Sequence, residues 1–359
     1  MYDLVIVMIL NKIFSFAASI IKLFILLLLT INSNAQENNS NYYSEDFGTL
    51  SLMYHRFNET KYPSTNIEME IFKKQINLIK ENNLDFYSPE FFHKEFNIAK
   101  KEKKILITID DAFSSFYEEA WPFLKENKIP FILFVSTQPV GKNGYMTWDQ
   151  IREIDKYDFV SIGHHSHTHD YLIDKSNEIF ISDIELASNI FQKELGYIPT
   201  LFSYPFGEYS EFMKSFISKK FSLGFGQHSG VIDLNKEKFE LPRFPINENY
   251  GEIKRFRSII NSYPLEYKKL LPSEKKLDNS NNPPKFSIEF FENQKNLEKI
   301  NCYSNEGDNW EKSNIKMTNN ILSINFRDSF KPRRGRINCS LNDDGIWRWF
   351  GVQFPIKKN

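Results

Sequence analysis

Residues 105–111 read ILITIDD. Five apolar or β-branched residues, Ile105 to Ile109, run into two adjacent carboxylates, Asp110 and Asp111. An uninterrupted apolar run of this length is the signature of a strand covered on both faces, as in a parallel sheet. In parallel α/β folds, sites gather where strands end. The Asp-Asp pair therefore reads either as an ordinary surface turn or as chemistry, and the buried strand before it favours chemistry.

Working outward, the same rhythm recurs. LSLMYH (Leu50 to His55), DFYS (Asp85 to Ser88), FILFV (Phe131 to Val135), FVSI (Phe159 to Ile162), LFS (Leu201 to Ser203) and SLGFG (Ser222 to Gly226) read as further strands. Helical spacing lies between them. Thr65 and Glu68 have the spacing of a capping box before Ile67, Ile71, Phe72, Ile76 and Ile79. Pro122 is expected in the first turn, or at a kink, of a helix over 116–127. Phe180, Ile184, Ala187 and Phe191 mark a longer amphipathic helix. About seven strands alternating with helices predict an α/β fold with a parallel sheet. The count suits a closed or nearly closed (β/α) barrel, with a doubly wound open sheet as the alternative.

The composition sets outer limits. The chain has 359 residues, enough for one large domain and a small one. Its 45 basic and 46 acidic residues give a net charge of −1, which supplies no electrostatic argument for a nucleic-acid partner. Lys12 precedes an apolar run, Ile13 to Ile31, followed by Ser33 and Ala35, small residues two apart. Residues 1–35 are expected to be a secretory signal peptide or, if uncleaved, a membrane anchor. Either way the remainder is exported, to the periplasm or the outside, and membrane contact is expected only if that segment stays. Residues 36–47 read as a flexible lead-in, 48–266 as the barrel, 267–284 as a polar linker and 285–359 as a small all-β module. Cys302 and Cys339 lie together in that last segment, as a disulfide or as two free thiols. The module also holds Trp310, Trp347 and Trp349, which read equally as core or as a glycan-binding platform.

Four of the seven histidines fall in GHHSHTHD, Gly163 to Asp170, directly after a strand. His165 and His169, four apart, suit a shared ion. A catalytic Zn²⁺ takes three protein ligands and keeps one position open. An adventitious His tract is the alternative. A third strand, LFS, ends in YPFGEY (Tyr204 to Tyr209).

Taken together, Thr108-Ile109-Asp110-Asp111-Ala112, His165-Ser166-His167-Thr168-His169 and Ser203-Tyr204-Pro205-Phe206-Gly207 resemble, in this order, the three motifs of the polysaccharide deacetylase (NodB-homology) family of carbohydrate esterases. LMYHRF (Leu52 to Phe57) resembles the opening strand of exported bacterial members. The resemblance covers roughly 50–257 and implies a distorted (β/α) barrel. It further implies a metal-dependent deacetylase acting on an N-acetylhexosamine polymer. Asp111, His165 and His169 would be the ligands, and Asp110 the general base. The metal implied is Zn²⁺, with Co²⁺, Ni²⁺ or Fe²⁺ also suited to the donor set. Tyr204, Pro205, Phe206 and Gly207 would border the substrate, as would His55 at the end of the first strand. Trp148 is a further candidate for stacking on a sugar.

Three departures stand out. Ala112 replaces a glycine. Ser203 replaces an arginine that orients the base, for which Arg243 or Arg56 could substitute. The late histidine that serves as general acid has only His228 as a counterpart, in a non-matching context. An O-acetyl esterase, a non-catalytic glycan-binding protein on the same barrel and a metal-binding protein are the competing readings.

Overall fold

The structure, a computed structural model, describes residues 48–96, 103–331 and 333–357. The segments read as signal peptide and lead-in lie outside the described residues. Seven strands build a curled parallel sheet: β1 (Thr49–Tyr54), β2 (Lys104–Asp110), β3 (Phe131–Val135), β4 (Val160–His164), β5 (Leu201–Ser203), β6 (Leu223–Phe225) and β7 (Phe244–Pro245). Their spatial order is β7-β1-β2-β3-β4-β5-β6, and a two-residue strand at Asp85–Phe86 adds to β2. Backbone hydrogen bonds from Gly226 to Leu241 and from Arg243 to His228 stitch the β6 end to the segment entering β7. The result is a distorted barrel. The strand at β7 is not apparent in LPRFPI, because Pro245 has no N–H and the strand stops after two residues.

Side chains alternate between two faces of this sheet. Ile105, Ile107 and Ile109 of β2 point to one apolar cluster, shared with helix α1 (Met69–Glu81). Leu106 points to the other, with Ile132, Phe134 and Phe225. Thr108 and Asp110 follow Leu106 onto that inner face, which is how period two brings the carboxylate inside. Gly163 of β4 is required here, since a Cβ would lie 2.3 Å from the Phe134 ring. Helix α2 (Pro89–Glu95) carries His93 on the flank of the barrel.

Two local expectations are corrected. Thr65 and Glu68 form no capping box: Glu68 is itself the N-cap of α1 and makes no side-chain cap bond. The residues before it, Asn66–Ile67, pair instead with Arg56–Phe57 as a small parallel ribbon. The helix expected over 116–127 is split into a π-turn, Phe116–Ala120, and α3 (Trp121–Glu126), with Pro122 in the first turn of α3. A true capping box joins Thr147 and Gln150 at the start of α4 (Trp148–Ile154), and Ser176 caps α5 (Asn177–Leu195). Helices α6 (Glu211–Ile217) and α7 (Ile253–Ile260) complete the outer layer.

The remaining strands are β8 (Ser262–Pro264), β9 (Lys269–Leu271), β10 (Ser287–Glu289), β11 (Asn301–Ser304), β12 (Glu311–Lys312), β13 (Asn314–Thr318), β14 (Ile321–Asn325), β15 (Arg334–Asp343) and β16 (Ile346–Pro355). They form a five-stranded sheet, β8-β16-β15-β11-β12, and a four-stranded sheet, β9-β10-β14-β13. Leu322, Ile337, Leu341, Val352 and Phe354 lie in the core of this module. Cys302 and Cys339, opposite each other on β11 and β15, are joined as a disulfide. Residues 267–284, read from composition as a linker, contribute β9 and the buried Lys275, whose ammonium donates to Pro272 O and Ser273 O. The barrel and the β module belong to one compact unit. Among the described residues no helix is long and apolar enough to cross a membrane.

Candidate active site

The ends of β2, β4 and β5 converge at one mouth of the barrel. Asp110, fully buried, is the last residue of β2. Asp111 and Ala112 turn away with φ of 76° and 53°. Both are left-handed conformations that ordinary residues rarely adopt, and the second explains why a glycine would be at ease at position 112. Ser166, His169 and Phe206 also have φ between 53° and 70°. Backbone strain thus sits on all three motif loops, as is common where side chains must be aimed.

Asp111, His165 and His169 each offer a ligand atom, all within 4.8 Å of one another. His169 Nε2 is 3.1 Å and His165 Nε2 3.5 Å from Asp111 Oδ1. The His165 Nδ1–H donates to the Ser203 carbonyl at 2.7 Å. That carbonyl can only accept, so Nδ1 holds the proton and Nε2 presents a lone pair. His165 Nε2 and Asp111 Oδ1 are both buried and have no hydrogen-bond partner. Two orphaned acceptors facing each other are unfavourable unless a cation lies between them. Burial holds the His165 imidazole down at about 4, against the pull of Asp110, and keeps it neutral. One carboxylate and two imidazoles fit a divalent ion such as Zn²⁺.

Asp110 is held separately. Arg243 grips it with two parallel bonds, Nη1 to Oδ1 at 2.7 Å and Nη2 to Oδ2 at 2.8 Å. The same guanidinium donates to Thr108 Oγ1, Ser203 Oγ and the Gly226 carbonyl. Burial on its own pushes the Asp110 carboxyl up. The charge of Arg243, with His165 and His55 assisting, outweighs it and holds the group well below the usual carboxylate range. Ser203 is small enough to leave room for this guanidinium, which stands where a longer residue 203 side chain would reach. Arg56 does not share the role: its guanidinium lies on the Phe113 ring at 3.4 Å and pairs with Glu59.

His55, following β1, joins the cluster. Tyr54 pairs with Ile109 across the ladder, so the next residues, His55 and Asp110, are neighbours. Burial lowers its pKa, while Asp111 and Asp110 pull the other way. His228 is not brought into the cluster. It lines a small cavity between barrel and module with Tyr209, Glu240, Lys275 and Trp349, and burial drives its pKa down to about 3. The acid role expected of it has no geometric basis there.

The other histidines are structural. His164 is packed among Phe191, Phe202 and Phe221 and accepts from the Ser166 N–H. His167 Nδ1 meets Thr137 Oγ1 at 2.8 Å. Tyr204 is fully buried beside Phe202 and Tyr209, so it is core and not a cleft residue. Pro205 is also buried. Phe206 stacks on Tyr171 at 4.1 Å and meets the His169 ring edge-on at 4.7 Å. Gly207 has φ 67°, and a Cβ there would lie 2.3 Å from the Gln227 amide nitrogen. Trp148 packs edge-on against Phe191.

Two supports were hidden from sequence reasoning. Asp183 of α5 accepts from the N–H groups of His167 and Thr168 and from the Thr168 hydroxyl, anchoring the histidine loop. Ser166 Oγ adds a bond from the His169 N–H. The second support comes from the β module. Arg333 bonds Asp174 and Glu208, and Arg334 bonds Glu208. The Arg333 guanidinium also covers the Tyr171 ring at 3.7 Å. Gln353 donates to the carbonyls of Phe206 and Gly207. A paired acid at 208 was detectable only as the Glu following the third motif.

Residues 97–220 match the family described as Polysaccharide deacetylase. In this segment the chain is similar to the polysaccharide deacetylase family. A poly-β-1,6-N-acetyl-D-glucosamine N-deacetylase of Staphylococcus aureus is 24% identical over 242 residues, covering 58% of this chain and 82% of that one. Among solved structures, the Streptococcus pyogenes deacetylase PplD in complex with acetate superposes with a TM-score of 0.53 at 22% identity, over 57% of this chain and 95% of its own. IcaB from Ammonifex degensii gives 0.53 at 24%, over 59% and 97%. These structures share the barrel fold.

Proposed function

We propose that this protein is a polysaccharide deacetylase, a metal-dependent N-deacetylase of an exported polysaccharide with a β-linked N-acetylglucosamine polymer as its substrate. The observation that carries the reading is the division of labour between adjacent carboxylates. Asp111 faces two imidazoles, whereas Asp110 is locked as an anion by Arg243. A divalent ion held by Asp111, His165 and His169 would polarise the acetyl carbonyl and acidify a water molecule. Asp110, ionised and fixed in place, accepts the proton of the attacking water. His55, just after β1 and beside Asp110, is placed to relay the proton that Asp110 has taken up to the departing amine. Phe206, braced by the stacked Tyr171 ring, sets an aromatic edge beside His169 at the rim of the site.

The N-terminal apolar segment and the Cys302–Cys339 disulfide both support an exported location. The polymer is suggested by the staphylococcal relative. The test is acetate release from N-acetylglucosamine oligomers and from an O-acetyl ester, with chelator and with Zn²⁺ or Co²⁺ restored. Metal-dependent release from the amide, lost in Asp110→Asn, is the expected result. Release from the ester alone would replace N-deacetylase with O-acetyl esterase. No release from either overturns the enzymatic reading.

A further inference from the structure

The β module carries a cleft that takes no part in the site above. It is an open depression of about 270 Å³ lined by Tyr303, Trp310, Asn338, Cys339, Ser340 and Trp349. Small-molecule sites begin at roughly 300 Å³. We propose that this cleft is a binding site for a neutral, N-acetylated glycan strand, separate from the catalytic mouth; the choice of glycan rests on the deacetylase reading.

The local register builds it. Along β15 the residues alternate, and Ile337, Cys339 and Leu341 point into the module core. Asn338, Ser340 and Asn342 therefore share the other face. Across the ladder, Asn338 pairs with Tyr303, Ser340 with Trp349, and Asn342 with Trp347. One sheet face thus presents rings on both sides of a row of short neutral polar groups. Tyr303, Trp310 and Trp347 are 45%, 42% and 46% exposed. Among the described residues none of these three stacks on another ring. The Asn338 amide and the Ser340 hydroxyl make no hydrogen bond within the described residues. The Trp349 Nε1–H is buried without an acceptor.

The chemistry selects the occupant. A pyranose offers apolar C–H faces to aromatic rings and a rim of hydroxyl and acetamido groups to amides and hydroxyls. None of the six lining residues is charged, so nothing in the cleft recognises a phosphate or a carboxylate, and no carboxylate waits for an amine. From Asn338 to Asn342 the strip runs roughly 13 Å, at about 3.4 Å per residue, which suits several linked rings better than one. A folded protein partner would need roughly 20–30 residues on this side, against the six that line the cleft. The face also runs on to the loop that borders the catalytic mouth. Arg334 and Gln353 lie on it, and both hold the loop around Phe206 and Glu208. Six residues of β15 separate Ser340 from Arg334, roughly 20 Å. A polymer seated in the cleft is thereby tethered close to the site that modifies it.

The test uses the full chain with a chelator, so that binding is read without turnover. Binding of β-1,6-linked N-acetylglucosamine oligomers is measured by titration calorimetry for the parent, Trp310→Ala and Tyr303→Ala. Both side chains are largely exposed, and unchanged melting curves serve as the folding control. Each substitution is expected to weaken binding about tenfold, as for an aromatic anchor. With metal restored, acetate release from a disaccharide should be unchanged while kcat/KM on long oligomers falls. Binding by both variants equal to that of the parent overturns the proposal. Tighter binding of the deacetylated, cationic oligomer overturns the neutral ligand. Acetate release reports on the catalytic reading separately: binding without any release leaves the cleft standing and removes the enzyme, and release without cleft-dependent binding does the reverse.

Discussion

Replacing Arg243 with methionine tests the central claim about Asp110. The guanidinium is fully buried and makes five hydrogen bonds, two of them to the carboxylate. Its removal strands a buried charge, which destabilises proteins by roughly 3–5 kcal/mol. That is a large part of the 5–15 kcal/mol that typically separates folded from unfolded chains. The sign of the pH dependence follows. In the parent the folded carboxyl titrates below its unfolded value, so the pair contributes stability above about pH 4 and loses it as pH falls through the folded value. In Arg243→Met burial is the dominant influence, and the folded value rises above the unfolded one. The folded state then binds the extra proton, and stability falls as pH rises between the two values. The gap between parent and variant should be narrowest in strong acid, already open near about pH 4 and widest towards neutral pH. Denaturant titrations in chelator at a series of pH values measure it. In an Asp110→Asn background the same substitution should be milder by about 2–3 kcal/mol, since no charge is stranded. An equal loss in both backgrounds, or a loss independent of pH, refutes the assignment of the pair.

Four further outcomes are expected. His165→Ala and Asp111→Ala should each abolish binding of one Zn²⁺ per chain in equilibrium dialysis, whereas His167→Ala should retain it. His55→Gln should lower kcat by about 10²–10⁴ with little change in KM, and His228→Gln should leave kcat near the parent value. Gly207→Ala should destabilise by about 2–4 kcal/mol in denaturant melts, since it combines a left-handed φ with a Cβ against the Gln227 backbone. Cys302→Ser, which opens a 37-residue span, should lower stability by about 4 kcal/mol on the loop-entropy estimate, read as a lower denaturation midpoint.

The parts of the site carried by single strand ends were legible in the sequence. Asp110 and Asp111 follow the most apolar strand, and His165 and His169 follow another, so local pattern and strand polarity suffice to bring them together. Parts that depend on which strands become neighbours were not. His228 stood out as the acid because it is the only histidine after His169, whereas the place of His55 beside Asp110 follows from β1 pairing with β2, which no local pattern shows. Arg243 was one of two candidates, and only the closing strand β7 distinguishes it from Arg56. Tyr204 read as a cleft residue because aromatic side chains flank a constrained loop. Alternation along a three-residue strand gives no indication that residue 204 turns inward. Asp183, in the middle of a helix, and Arg333, 125 positions from Glu208, carry no local signal at all.

The salt links from Arg333 and Arg334 to Glu208 bear on how this protein can be cut and recombined. Glu208 is almost wholly enclosed, with both oxygens occupied by guanidinium groups from the far end of the chain. A stop codon after the barrel would leave that carboxylate facing an exposed apolar surface with no counter-charge, next to the loop that carries Phe206. Such an appendage is not interchangeable cargo. Grafting a foreign domain onto this barrel would need a transplanted arginine pair as well.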